Sequence, residues 1–247
     1  MDIIIEEQAE QGSLQAGLEG NTEFRLGAVL TEAWERTSGN KGAVWMAMMF
    51  YMGLAFLMGV FFGLLDGAGS GEVPDPGSPV KFIGDLVTTL VLTPMAIGLC
   101  FIGVAIARGY TPNPKSIFAW YDQTLKVFLL AILMNLLIVL GLLLLVLPGI
   151  YLAVSYQIAL PLMVDKKMGL WEALESSRKI IGHHWFAVFG YDLVFLLIVA
   201  GSMMLLGIPF IWTVPMMLIA YGILYRNLVG VEAETLQRAV ATEQVPS

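Results

Sequence analysis

Six apolar stretches run through this chain, and the basic residues between them fall almost entirely on one side. The stretches are Ala43–Leu65, Leu86–Ala107, Thr124–Leu147, Gly149–Lys166, Trp185–Gly207 and Ile208–Leu228. A helix needs about 20 mainly apolar residues to cross a hydrocarbon core of ~30 Å, and five of the six meet that length outright. The fourth is short; it reaches across only if Pro148 and the Lys166-Lys167 flank are counted, so it either spans or is re-entrant. Pro161 is expected to kink it, because proline removes a backbone donor and crowds the preceding turn. Taken as alternating crossings, the stretches leave twelve of the thirteen Lys and Arg residues on one side and Lys81 alone on the other. Basic residues are retained in the cytoplasm, so both termini, the Arg108–Lys126 region and the Lys166–His184 loop are expected there.

The connections sharpen this into an architecture. Leu147-Pro148-Gly149 and Gly207-Ile208-Pro209 leave almost no loop, which predicts antiparallel hairpins turning on the outer side. Asp66–Asp85, rich in Gly, Pro and acids, is the one long outer connection and reads as a solvated loop. The inner segments look helical. Phe24, Leu26, Val29, Leu30, Ala33 and Trp34 recur at helical spacing, as do Met168, Leu170, Trp171, Leu174 and Ile180, and Pro114–Tyr121 carries Ile117, Phe118 and Trp120. Such stretches suit helices lying on the inner membrane surface or covering the cytoplasmic end of the bundle. The expected fold is therefore an all-α polytopic membrane bundle. Six transmembrane helices form three hairpin units, each preceded by a cytoplasmic interfacial amphipathic helix. Residues 23–230 make the membrane domain, 1–22 an acidic flexible tail and 231–247 a short cytoplasmic tail. An offset of 140 residues supports the repeat: Leu30/Leu170, Glu32/Glu172, Ala33/Ala173, Glu35/Glu175, Gly42/Gly182, Trp45/Trp185, Ala47/Ala187 and Tyr51/Tyr191 are identical without a gap.

Composition narrows function mostly by exclusion. The net charge of −7 comes largely from the N-terminus, since eight of the twenty acids precede residue 36, and no basic face for nucleic acid is present. The single cysteine, Cys100, rules out an intramolecular disulfide. Asp2, Glu6, Glu7 and Glu10 replace the basic start of a signal peptide, so the first span is expected to act as an uncleaved anchor. The acids of Asp66–Asp85 lack calcium-loop spacing, and the adjacent His183-His184 point apart on a helix and make a poor metal pair. Ser176 and Lys179 have an acyl-enzyme spacing without its companion motifs. No catalytic, cofactor or metal set is assembled, so a non-enzymatic protein without cofactors is expected.

Polar groups inside the membrane are the place to look for a site. Asp192 lies seven residues into the fifth span, roughly 10 Å from its inner boundary at 1.5 Å per residue. Asn135 and Gln157 fall at comparable depth, with Tyr51 and Tyr191 nearby. These five residues are expected to form one polar cluster, serving either as a proton or ligand site or as interhelical hydrogen bonding.

The run Leu147-Pro148-Gly149-Ile150-Tyr151, Ala159-Leu160-Pro161-Leu162, Val164-Asp165, and Trp171-Glu172-Ala173-Leu174-Glu175-Ser176-Ser177-Arg178 through His184-Trp185 resembles a group of uncharacterised bacterial membrane proteins. It is also similar to the membrane domain that precedes the catalytic domain in some bacterial glycerophosphodiester phosphodiesterases. Thr93-Pro94, Gly98 and Arg108-Gly109 fit the same pattern, which covers about 86–230. The resemblance implies a six-span bacterial inner-membrane protein; the phosphodiesterase catalytic domain, with its metal ligands and activity, is absent from this sequence. The expected partners are the lipid bilayer and another membrane protein. The leading expectation is a scaffold, assembly or regulatory factor. The alternative is a small-solute or lipid-handling transporter built on Asp192, and a cavity reaching that residue would favour it.

Overall fold

A computed structural model describes residues 12–67 and 77–240. In chain order the helices are α1 (Leu14–Glu19), α2 (Leu26–Thr37), α3 (Lys41–Leu65), α4 (Pro79–Ala107), α5 (Thr124–Leu144), α6 (Val146–Ser155), α7 (Ala159–Asp165), α8 (Leu170–His183), α9 (Trp185–Met204), α10 (Phe210–Val229) and α11 (Ala233–Ala239). Short 3-10 turns at Pro114–Phe118 and Tyr121–Gln123 precede α5. Among the described residues the fold is all-helical apart from one isolated bridge between Pro112 and Val240. Five segments are long and apolar enough to cross a membrane: 41–65, 79–107, 114–144, 146–165 and 185–204. The sixth expected span, α10, is 20 residues long but outside that set, and its last turn carries Arg226 and Asn227.

Two expected loops fold differently. α4 begins at Pro79, inside the anticipated Asp66–Asp85 loop, because Ser78 caps the amides of Val80 and Lys81 and Pro79 is preset for a first helical turn. Residues 68–76 of that loop lie outside the described residues. The 114–121 segment is no surface helix. Ile117 packs its backbone against Gly98 in the middle of α4, and Trp120 is buried with its ring 4.7 Å from that of Phe101.

The core lies at one end of the molecule, where the last turns of α4 and α10 meet. Residues 101–107 of α4 are buried on every side. Gly103 and Gly222 make that approach possible, since a Cβ at Gly222 would collide with the Gly103 backbone and one at Gly103 with the Leu218 carbonyl. Glu32 of α2 locks the same end. It receives both Arg226 guanidinium nitrogens, at 2.8 and 2.9 Å, and Arg36 Nε at 2.7 Å. Arg36 also donates to the Ile106 carbonyl at 3.1 Å, and Arg226 to that of Ala107. Two cations thus satisfy orphan carbonyls at the α4 C-terminus, where the helix dipole favours positive charge. Burial opposes ionisation of Glu32, but the two guanidiniums outweigh it and hold its carboxyl below the ordinary value.

The described parts of both expected tails are docked. Ser13 caps α1, His183 Nε2 meets the Leu18 carbonyl at 3.1 Å, and Thr22 Oγ1 lies 3.0 Å from His184 Nε2. At the other terminus α11 is held by Lys166–Glu232 (2.6 Å), Lys167–Glu234 (2.7 Å) and Arg238–Asp122 (3.0 Å). The 140-residue identities do not carry matching breaks. The first unit bends at residues 38–40, equivalent to 178–180, whereas the second bends at His184. Trp45 is therefore the fifth residue of its long helix and Trp185 the first.

Candidate functional site

The fourth apolar stretch breaks between Ser155 and Ala159, and the candidate site is built on that break. The bend precedes Pro161, which sits in the first turn of α7, where a missing amide costs little. Backbone groups at such a break must find partners wherever water is excluded. Four carbonyls there do. Val154 O accepts from the Gln157 side chain at 3.1 Å, Ser155 O from Ser177 Oγ at 2.6 Å, and Tyr156 O from the Ala159 amide at 2.9 Å. Gln157 O, which Pro161 cannot use, accepts from the Tyr221 hydroxyl at 2.8 Å. The same device recurs at Pro215, whose orphaned carbonyl, Ile211 O, accepts from the Trp45 indole at 3.1 Å.

Fixing the Gln157 backbone places its amide 3.4 Å from Asp192 Oδ2 on α9. Asp192 is half-buried, and among the described residues no Lys, Arg or His nitrogen lies within 4.0 Å of its carboxylate. It borders a cleft of about 620 Å³, open on one side, between α9 and the α3, α4 and α10 helices. The polar end holds Asp192, Gln157 and Tyr221, and the walls are apolar, Met48, Leu99, Leu196 and Val214 among them. This volume and this mixture of apolar wall with a few convergent polar groups suit an amphiphilic small molecule.

Three of the five anticipated residues come together: Asp192, Gln157 and Tyr191 all line the cleft. Tyr191 is buried, its ring 4.7 Å from Phe195 and 6.4 Å from Phe24. Tyr51 packs half-buried against the core and is not a lining residue. Asn135 does not join the cluster; it faces outward on α5 and donates to Ala131 O of its own helix at 2.8 Å. Depth alone had suggested convergence, but helical phase turns Asn135 away. Tyr221 escaped the sequence reading, although the four-residue interval between Gln157 and Pro161 signals an orphan carbonyl in need of a donor.

A second cavity, about 590 Å³, opens beside α11 and contains Asp165, Lys166, Lys167, Glu232, Glu234 and Arg238. Asp165 is 2% exposed and accepts from Tyr225 Oη at 2.9 Å, the Glu232 amide at 3.1 Å and Lys166 Nζ at 3.4 Å. Each of the three cations lining this cavity is engaged by an acid, which suits a clamp on the C-terminal helix better than a ligand site. Among the described residues no group of three or more His, Cys, Asp or Glu side chains is placed to hold a metal. No protein-family model, curated protein or solved structure matches the chain.

Proposed function

We propose that this integral membrane protein binds an amphiphile in the Asp192 cleft, as the lipid-handling alternative to a scaffold requires. The observation that carries the reading is the cleft itself. It reaches the one half-buried acid of the apolar helices, at a helix break where side chains engage the carbonyls of Val154, Ser155 and Gln157. Discontinuous helices with irregular backbone at depth recur at membrane-protein binding sites, where protein or a cavity replaces lipid around the break. A scaffold needs no such void. The reading keeps the non-enzymatic expectation drawn from the sequence, which assembles no nucleophile–base–orienter set. The resemblance to bacterial inner-membrane proteins extends the proposal to that membrane. The basic residues put both termini and the inner segments on the cytoplasmic side, whether the later hairpins cross or turn back.

Filling the cleft tests the reading. Leu196→Trp and Val199→Trp place a large ring on the α9 side of the void. Native mass spectrometry of the full chain in mild detergent is expected to show a bound lipid that both variants lose while keeping the wild-type helix content and elution volume. Equal lipid retention by the filled variants would return the scaffold to first place.

A further inference from the structure

The chain contains two kinds of hairpin turn. Between α3 and α4 the sequence is polar, and the helix ends carry an Asp66–Ser78 hydrogen bond and a Lys81–Asp85 ion pair of 3.0 Å. Between α5 and α6, residues 136–150 hold no polar side chain, and between α9 and α10 residues 193–212 hold only Ser202. Among the described residues these two tips hold most of the highly exposed apolar side chains, with Leu206 91%, Met204 88%, Leu144 79% and Leu147 79% exposed; Phe186, at 85%, lies elsewhere, at the start of α9. Water is the wrong solvent for them.

The backbone of the α9–α10 tip is built for hydrocarbon. Every amide from Leu205 to Trp212 donates within the turn: Leu205 to Gly201, Leu206 to Met203, Gly207 to Ser202, Ile208 to Leu205, Phe210 to Gly207, Ile211 to Ile208 and Trp212 to Pro209. Pro209 has no amide to satisfy. Positive φ at Leu206 (57°) and Gly207 (77°) lets the chain reverse within this short, self-bonded stretch.

Internal rulers show how far each tip reaches. Trp45, near the cytoplasmic start of α3, bonds Ile211, and Lys41 Nζ stands 5.1 Å over the Trp212 ring. The six-crossing arrangement puts those two helix starts on opposite membrane faces, yet they touch. α3 continues for about 30 Å beyond Trp45, whereas Leu206 lies only five residues, about 8 Å, beyond Ile211. In the other hairpin, Tyr151 stacks on Trp185 at 6.0 Å, and Ser155 O is held by Ser177 of α8. α8 bears Glu172, Glu175, Arg178 and Lys179, so it marks the headgroup level, and the tip at Leu145 is six residues, about 9 Å, beyond Tyr151.

We propose that α3 and α4 cross the bilayer, while the α5–α7 and α9–α10 hairpins are re-entrant. Both enter from the cytoplasmic face, end among the acyl chains of the cytoplasmic leaflet and return. The Asp192 cleft, bounded by Met48 and by Leu99 in the cytoplasmic halves of α3 and α4, then opens to that leaflet. Its ligand is drawn from there. The charge asymmetry is unchanged, because a hairpin that turns back delivers its flanks to the same side as one that crosses twice.

The test is side-specific labelling of the full chain in a Cys100→Ala background, in sealed vesicles of both orientations, with a membrane-impermeant maleimide. Lys81→Cys is expected to label from one side only, Lys179→Cys from the other only, and Leu147→Cys and Leu206→Cys from neither until detergent is added. Labelling of either tip from the Lys81 side means that its hairpin crosses; labelling from the Lys179 side means that the tip lies in water. Either overturns the proposal. A nitroxide at residue 206 completes the test, expected to be accessible to oxygen and closed to a nickel chelate. Closure to both would show that another protein surface, such as a second copy of this chain, covers the tip, and lipid would then be the wrong partner. None of these readouts involves the cleft ligand, so they stand or fall apart from the amphiphile reading.

Discussion

The α4–α10 contact and the α5–α6 tip are both apolar and share little else. Residues 101–107 are enclosed by protein, while Leu142–Leu147 are bare. In the first region side chains must fit neighbours that cannot move, as in any close-packed interior. In the second, on the proposed lipid contact, they need only be apolar, because acyl chains would adapt to them. Apolar residues are therefore under opposite demands, and substitution separates the two regions.

The largest separation is expected at glycine. Gly222→Ala places a methyl in the Gly103 backbone, and no side-chain rotation relieves it, so the helices must part. A loss of about 3 kcal/mol is expected, at the upper end for an overpacked site. Gly53→Ala on α3 meets nothing within 4 Å and should change stability by no more than about 0.5 kcal/mol. Thermal unfolding of both variants in one detergent measures the difference. Equal losses would mean that the bare face of α3 is itself packed against protein.

Next comes the charged lock at the same end. Glu32→Ala leaves Arg226 and Arg36 facing the α4 carbonyls without their shared counter-ion. Breaking a buried pair costs about 3–5 kcal/mol; with Arg226 15% and Glu32 28% exposed, solvent reduces that to about 2 kcal/mol. Because the Glu32 carboxyl is held below its ordinary value, its contribution is present above the unfolded pKa near 4.5 and lost as pH falls through the lower folded value. Leu143→Ala at the tip should be indistinguishable from wild type across the same range. A Glu32→Ala protein as stable as wild type at pH 7 would show that the core needs no lock.

How much of this was legible depends on what each signal encodes. Apolar length revealed the helices, and the basic residues gave only an expectation of a shared side. Neither reports depth, which is why the six stretches read as six crossings; the Trp45–Ile211 contact that argues otherwise joins residues 166 apart. Asp192 and Gln157 could be paired from depth, but Asn135 could not be rejected without helical phase. The close-approach pair, Gly103 and Gly222, sits on two helices far apart in sequence, so no local spacing announces it. The docking of the described parts of the tails, 12–22 and 231–240, was missed because their holds are single contacts between distant segments such as Lys166–Glu232, with no local pattern.

The smallest expected effect lies at the N-terminal strap that runs from Ser13 to Phe24. Thr22 bonds His184, and Phe24 rests on Tyr191 at the edge of the cleft. Burial lowers the His184 pKa, and the neighbouring His183 lowers it further. The docked strap therefore holds His184 neutral, whereas the released chain takes up a proton below about pH 6.5. Docking should be at full strength above that pH and weaken as the solution becomes more acidic. Hydrogen exchange at residues 13–24, corrected for the intrinsic rate, should show protection falling between pH 7 and 5.5 while residues 101–107 stay protected. His184→Gln keeps a partner for Thr22 and removes the titrating ring, so its protection should be flat over the same range. A variant that retains the full pH dependence would remove His184 as its source and would detach the strap's response from the edge of the cleft.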